Sequence, residues 1–279
     1  MGKSTDGRAK HWLLAAATLG ALVASVGAGA QENGARRERA SILLGTFLTD
    51  RDTSARLDSN SGSGSDVDLE DDLGLEGSTN VARLGGYWWL NDRHRFDGSY
   101  FDLSRNASKR LEKTIDFGDE TYTISTVVNV NSDLTVVKAD YTFAMLSRDR
   151  GYLGITGGLY VSQTTLELSV ANSSTSEEQD VTAPLPVIGL RGDYAINDRF
   201  TLRGAVQIFD YSADNVDGRL TDFYVGADYG IGDHWAVGLA WNEVSMNLSA
   251  ETDRGLEGAL DWGYDGLMVY AKFDFGGRR

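Results

Sequence analysis

From residue 41 onward the chain alternates apolar and polar side chains in short runs. The clearest run is the last, GYDGLMVYAKFDF, from Gly263 to Phe275. Leu267, Val269, Ala271, Phe273 and Phe275 share one face, and Met268, Tyr270, Lys272 and Asp274 share the other. Strict period two predicts a β-strand with one apolar and one polar face. The pattern recurs at 220–231, where Phe223, Val225, Ala227, Tyr229 and Ile231 oppose Asp222, Tyr224 and Asp228. At 134–146, Val137, Tyr141, Phe143 and Met145 oppose Lys138 and Asp140. Ile188, Leu190 and Ile196 oppose Arg191 and Asp193; Leu202, Val206 and Ile208 oppose Arg203 and Gln207; Leu84, Trp88 and Leu90 oppose Arg83. At 41–49 and 95–103 apolar groups occur on both faces, so the facing of those strands stays open.

Two kinds of punctuation separate the strands. Tight turns are expected at Asn91–His94, Arg148–Gly151, Asn197–Arg199 and Gly232–His234. Longer polar segments, expected to be loops, fall at about 50–80, 104–133, 171–183, 212–219 and 249–261. The predicted strands number ten, at about 41–49, 81–90, 95–103, 134–146, 152–168, 184–196, 199–211, 220–231, 235–248 and 263–275. Short and long connections in alternation describe an antiparallel up-and-down β-barrel, all-β, with 8 or 12 strands as alternatives. An even count places both termini on the short-turn side, expected to be periplasmic. Strand 263–275 is expected to close the barrel against 41–49. A weak repeat marks three turns: 87–96, 194–200 and 229–235 each end a strand on an aromatic, turn on Asn or Gly with Asp, and restart on an aromatic. Aromatics flanking such turns suit a lipid interface; ordinary soluble hairpins are the plainer alternative.

Composition narrows the choice. Lys3, Arg8 and Lys10 precede an apolar stretch, Trp12 to Ala24, and Ala28-Gly29-Ala30 forms an A-x-A site before Gln31. Residues 1–30 therefore read as a cleaved signal peptide and 31–279 as a single barrel domain. The signal holds three basic side chains and one acidic, so removing it shifts the formal charge of −15 to −17. So acidic a chain argues against nucleic-acid binding. There is no cysteine, and Pro184 and Pro186 are the only prolines, which suits a chain mostly paired as strand. No run of 18 apolar residues offers a membrane-spanning helix. Length alone also permits a soluble β-sandwich with a small second domain.

The polar faces carry Arg83, Lys138, Arg191, Arg203 and Lys272 against Asp140, Asp193, Asp222, Asp228 and Asp274. Balanced signs in a narrow lumen predict a cross-linked interior rather than an open pore. The surplus negative charge should then sit in the long segments. Residues 66–76 contain six carboxylates after the Ser61–Ser65 Ser/Gly run, but Asp71 and Gly77 stand where an EF-hand needs Gly and Glu. That leaves a solvated acidic loop or a looser divalent-cation site bridging lipopolysaccharide phosphates. Val67, Leu69, Leu73 and Leu75 in it predict packing over the barrel mouth. Thr114–Phe117 and Tyr122–Ile124 predict a hairpin that extends the strands.

Together the leader, the alternating connections and the amphipathic strand ending at Phe275 resemble small bacterial outer-membrane β-barrel proteins of the OmpA/OmpW-like class, over residues 40–275. The resemblance implies outer-membrane location, lipid and lipopolysaccharide as surroundings, and periplasmic chaperones and the barrel-assembly machinery as partners. It also makes Phe273 and Phe275 an assembly signal, although Gly276-Gly277-Arg278-Arg279 follow where such barrels end on the aromatic. Some barrels of this kind are enzymes that use an activated histidine. Here His94 and His234, the only histidines after the leader, lie at predicted short turns, and no G-x-S-x-G, P-loop or H-E-x-x-H pattern occurs. No catalytic residue, metal ligand or cofactor is assigned. Three functions stay open: a non-enzymatic structural or surface-interaction barrel, a narrow channel or OmpW-like conduit, and a lipid-modifying enzyme or protease. If the closing strand carries the assembly signal, Phe275→Ala impairs assembly while deletion of 276–279 leaves it intact, as read by heat-modifiable migration on gels.

Overall fold

The computed structural model describes residues 38–59, 64–117, 120–171, 176–213, 216–251 and 257–276; the leader, residues 60–63 and 277–279 are among those outside it. Its strands are β1 (Ala40–Leu57), β2 (Val67–Asp68), β3 (Ser78–Trp89), β4 (His94–Arg110), β5 (Ile115–Phe117), β6 (Glu120–Tyr122), β7 (Val127–Arg148), β8 (Gly151–Val170), β9 (Ser176–Ala195), β10 (Phe200–Ala213), β11 (Val216–Ile231), β12 (Trp235–Glu251) and β13 (Glu257–Phe275). Apart from the short β2, β5 and β6, these strands form one antiparallel ring, each bonded to its neighbours in sequence. Closure comes from β13 on β1, in register from Ala40↔Phe275 to Leu57↔Gly258. The closed ten-stranded barrel leaves no open sheet edge along that joint.

The turns have a common chemistry. Asn91 Oδ1 accepts the backbone N–H groups of Arg93 and His94, and Asn197 Oδ1 accepts those of Arg199 and Phe200. Each asparagine thus replaces a backbone acceptor, which explains the repeated Asn-Asp-Arg. The third turn uses Gly232 at φ 69, where a side chain would be strained.

Outward-facing apolar side chains are exposed on all ten barrel strands, among them Leu44, Trp88, Tyr100, Val137, Ile155, Ile188, Ile208, Val225, Leu239 and Val269. Such a continuous apolar belt requires lipid, because water would make it an aggregation surface. The two strands of open facing are settled by the core. Phe47 of β1 and Phe101 and Leu103 of β4 point inward, while Ile42, Leu44, Phe96 and Tyr100 point out. The inside is therefore not uniformly polar, and that is why alternation failed there.

The expected loops at 50–80 and 104–133 need correction at their ends: residues 50–57, 78–80, 104–110 and 127–133 are wall. Strands β1, β4, β7, β8 and β9 run 17–22 residues, against the about 9–11 that cross a bilayer. They continue above the belt as a tower because their inner faces stay apolar, with Val128, Val130, Leu166 and Leu168 fully or nearly buried. Polar residues on the outer face, such as Asn106 and Ser108, and the inward Arg51 and Arg105 gave these segments their loop-like look. The β5–β6 hairpin likewise does not extend the wall. It forms its own sheet and turns Ile115, Phe117 and Tyr122 inward, against Leu69, Leu73 and Leu75 of the first acidic segment. Together these side chains cap the mouth.

Two ladders stop short and split the tower. Between β3 and β4 pairing ends at Arg83↔Phe101. Residues 64–77 bridge this gap: Arg105 bonds Glu70 and Glu76 O, Lys113 pairs with Asp72, Lys109 bonds Asp71 O, and Ser65 N bonds Asp116 O. Between β9 and β10 pairing ends at Ile188↔Ile208. In that register Pro186 would face Asp210 and Pro184 would face Ser212. Neither proline can donate, and its ring fills the space a ladder partner needs. Beside this gap Tyr211, on the inward side of β10 and stacked on Phe209 at 6.4 Å, is 52% exposed. The seam opens the tower interior to solvent. Restoring both donors, Pro184→Thr with Pro186→Thr, is expected to extend the ladder and slow amide exchange at Asp210 and Ser212 by up to about tenfold, at roughly 0.5–1.5 kcal/mol per bond gained. Unchanged exchange would assign the seam to something other than the prolines.

Candidate functional site: the lumenal ion-pair network

Reading up the inner face of β4 gives the order of the interior. Arg95 and Asp97 come first, Phe101 and Leu103 next, then Arg105, and finally Ala107 against the capping cluster. β1 repeats it with Ser41, Gly45, Phe47, Arg51 and Ala55. Charge is concentrated at the short-turn end, above a small aromatic floor of Tyr87, Trp89 and Tyr152.

All ten charged residues singled out from the strand faces lie in this lower chamber. Lys138 Nζ contacts Asp222 Oδ2 at 2.5 Å and Asp140 Oδ2 at 3.8 Å. Arg191 Nη2 donates to Asp140 Oδ2 at 2.7 Å. Arg203 Nε meets Asp228 Oδ2 at 2.8 Å, and its Nη1 lies 3.7 Å from Asp193 Oδ2. Lys272 is fully buried between Asp228 Oδ2 at 2.9 Å and Asp274 Oδ1 at 3.2 Å. Tyr270 donates its hydroxyl to Asp228, and Ser41 donates to Asp274 at 2.5 Å. Arg83 differs from the rest, since its bonds run to neutral groups, Asn242 Oδ1 at 2.7 Å and Ser99 Oγ at 3.4 Å. Asn242 links it onward by donating to Asp222 Oδ1 at 2.8 Å.

Sequence reasoning missed the hub. Arg95, 3% exposed, forks onto Asp97 at 2.6 and 2.9 Å and bonds Asp193 and Tyr152, both at 2.8 Å. Its guanidinium also lies 3.9 Å from the Tyr87 ring centroid, a cation–π contact. Arg95 and Asp97 belong to the strand whose facing was ambiguous. The turn could have revealed them: in a tight hairpin Arg95 faces Trp89, so it shares the face of Arg83 and Tyr87. Gln207, which bonds Asp140 at 2.9 Å, sat on a face already read as polar.

A cavity of roughly 110 Å³ remains within the network, bordered by Arg83, Arg95, Asp97, Lys138, Asp140 and Arg191. It is polar and large enough for several waters. Gly45 and Gly85 are part of its lining. At Gly45 no larger residue fits, since a Cβ would lie 2.6 Å from that of Tyr270.

The remaining candidates do not join this network. Phe273 and Phe275 contact each other edge to face at 5.1 Å on the outer surface, and Phe273 stacks on His234 at 5.6 Å. His94 Nδ1 meets the Tyr141 hydroxyl at 2.6 Å on another turn, so the two histidines form no shared site. In the 66–76 segment Glu70 is held by Arg105, Asp72 by Lys113, and Asp68 Oδ1 accepts the Asp71 N–H. Among the described residues no group of three ligating side chains could hold a metal ion.

No family model and no curated protein matches the sequence. Among solved structures, the outer membrane protease OmpT of Escherichia coli superimposes with a TM-score of 0.58 at 11% identity, over 88% of this chain and 99% of that one. The fold is that of outer-membrane β-barrels. Looser likenesses are the translocator domain of the Neisseria meningitidis autotransporter NalP (TM-score 0.42, 13% identity, 97% and 98% covered) and Ail of Yersinia pestis (0.40, 11%, 86% and 100%).

The network carries a stability prediction. Asp228→Asn leaves Arg203 and Lys272 short of a buried counter-charge and is expected to cost about 3–5 kcal/mol in urea unfolding from detergent. Asp210→Asn removes a solvent-exposed pair with Arg219 and is expected to cost less than about 1 kcal/mol. Equal costs would show that the lumenal pair is hydrated rather than buried.

Proposed function

We propose that this protein is a non-enzymatic outer-membrane barrel with a sealed lumen, working at the cell surface through its tower. The carrying observation is the stacking of the interior: aromatic floor, ion-pair network, apolar layer, the Arg51–Arg105 layer and capping cluster succeed one another up the lumen. A passage would have to break several buried charge pairs and displace Phe47, Phe101 and Tyr264, which interlock edge to face at 5.3 and 5.6 Å. The tower faces outward in this reading, with both termini periplasmic. Its exposed carboxylates, including Asp50, Asp52, Asp102, Glu178 and Asp180, hold the excess negative charge away from the lumen. Lipopolysaccharide, with divalent cations between its phosphates and these carboxylates, is the expected surrounding. Chaperones and the barrel-assembly machinery are the partners in biogenesis.

The likeness to a protease is a likeness of fold, and the pairing of the lumenal aspartates with Arg and Lys among the described residues supports the non-enzymatic reading. One observation favours a second reading, a narrow conduit: the cavity within the network would be a segment of its path. Planar-bilayer recording separates the two. The sealed barrel is expected to give no stepwise conductance. Stable nanosiemens-scale steps from the unmodified protein would overturn the proposal, and altered lipid A or phospholipid in a deletion strain would overturn its non-enzymatic part.

A further inference from the structure

Between the apolar layer and the capping cluster lies a thin polar layer with surplus positive charge. Arg51 and Arg105 both point inward there and are 8% and 7% exposed. Among the described residues, these two guanidiniums share one carboxylate. Glu70 Oε1 accepts Arg105 Nη1 at 2.5 Å, and Oε2 accepts the Thr53 N–H at 2.9 Å. Arg51 spends only Nε, donating to Thr49 Oγ1 at 3.1 Å. Its Nη1 and Nη2 are buried and make no hydrogen bond, and neither does Arg105 Nε. Asp50 and Asp52, the outward neighbours of Arg51, are exposed, so this layer lies above the apolar belt. Burial and, next, the facing Arg105 hold the Arg51 guanidinium down to about 10, which leaves it charged at neutral pH.

A buried charge with free donors calls for a counter-charge, and the surroundings limit its size. On β4, Leu103 and Ala107 bracket Arg105 two residues away on either side, a rise of about 7 Å per pair of residues. Tyr160 and Tyr264 wall the Arg51 side. One negative charge balances two guanidiniums against one carboxylate. We propose that this layer is a binding site for a small monovalent inorganic anion of halide size, held by Arg51 Nη1 and Nη2 with Arg105 opposite. It is a structural site that fastens the cap, through Arg105 and Glu70, to the barrel wall.

The test is refolding from urea in chloride, bromide or gluconate at equal ionic strength, followed by thermal unfolding in detergent. The unfolding midpoint is expected to be higher in either halide than in gluconate and to climb with halide concentration. Arg51→Gln is expected to lose that dependence, while Arg219→Gln, at an exposed pair, keeps it. In crystals grown in bromide, an anomalous peak within hydrogen-bond distance of Arg51 Nη1 and Nη2 is expected, a readout that needs no variant to fold. Equal midpoints in chloride and gluconate, an unchanged halide dependence in Arg51→Gln, or a water in place of the bromide peak would each overturn the site.

Discussion

Lipid offers a peptide group no hydrogen-bond partner, so a strand that crosses it must be paired on both sides. The β13–β1 ladder meets that demand, and the rest of the structure follows from it. Closing the ring forces each strand to show one face to lipid and one to a narrow interior. Leu267 and Val269 can then be exposed only because Lys272 and Asp274 are buried. Charges buried so deeply are tolerated when they meet opposite charges in fixed positions. Asp228 does this for Arg203 and Lys272 together, with the Tyr270 hydroxyl as a third donor.

The interior answers a second demand, that a tube be filled. A purely polar filling would have to satisfy every donor over the full height of strands up to 22 residues long. The chain instead alternates layers. Apolar layers need no partners and exclude water from the ion pairs, which strengthens them. Polar layers fix register, because a one-residue slip of β4 would send Arg95 and Asp97 to lipid and bring Phe96 inside.

This division also decides what could be read without coordinates. Where a strand kept polar side chains on its inner face, as at Lys138–Asp140 or Tyr270–Asp274, alternation alone assigned the facing. Where the inner face passed through an apolar layer, as at Phe47 and Phe101, the two faces looked alike and the Arg95 hub was lost with them. The tower escaped for the opposite reason. Its outer face meets water, so Asp102, Asn106 and Ser108 weakened the apolar signal, and only the inward Val128, Val130, Leu166 and Leu168 preserved strand character. The cap was legible in part, because Leu69, Leu73 and Leu75 had no reason to be apolar in a solvated loop. Nothing in sequence spacing could place Glu70 against Arg105, since that contact depends on how residues 64–77 cross from β1 to β4.

The two seams of the tower are unlike. At β3–β4 the gap is sewn by side chains and backbone from the first acidic segment. At β9–β10 it is kept apart by the chemistry of the strand itself. The chain has two prolines, and both lie at the positions where this ladder would continue past Ile188. The β3–β4 ladder stops short without a proline and is closed by other residues, whereas the β9–β10 gap, with both prolines at its edge, is not bridged in this way. Pairing β9 to β10 would complete the wall and add hydrogen bonds, yet the sequence forbids it. The opening is thus specified against that gain, and it lies next to exposed Tyr211, with the exposed Asp180 and Asp210 on its two strands.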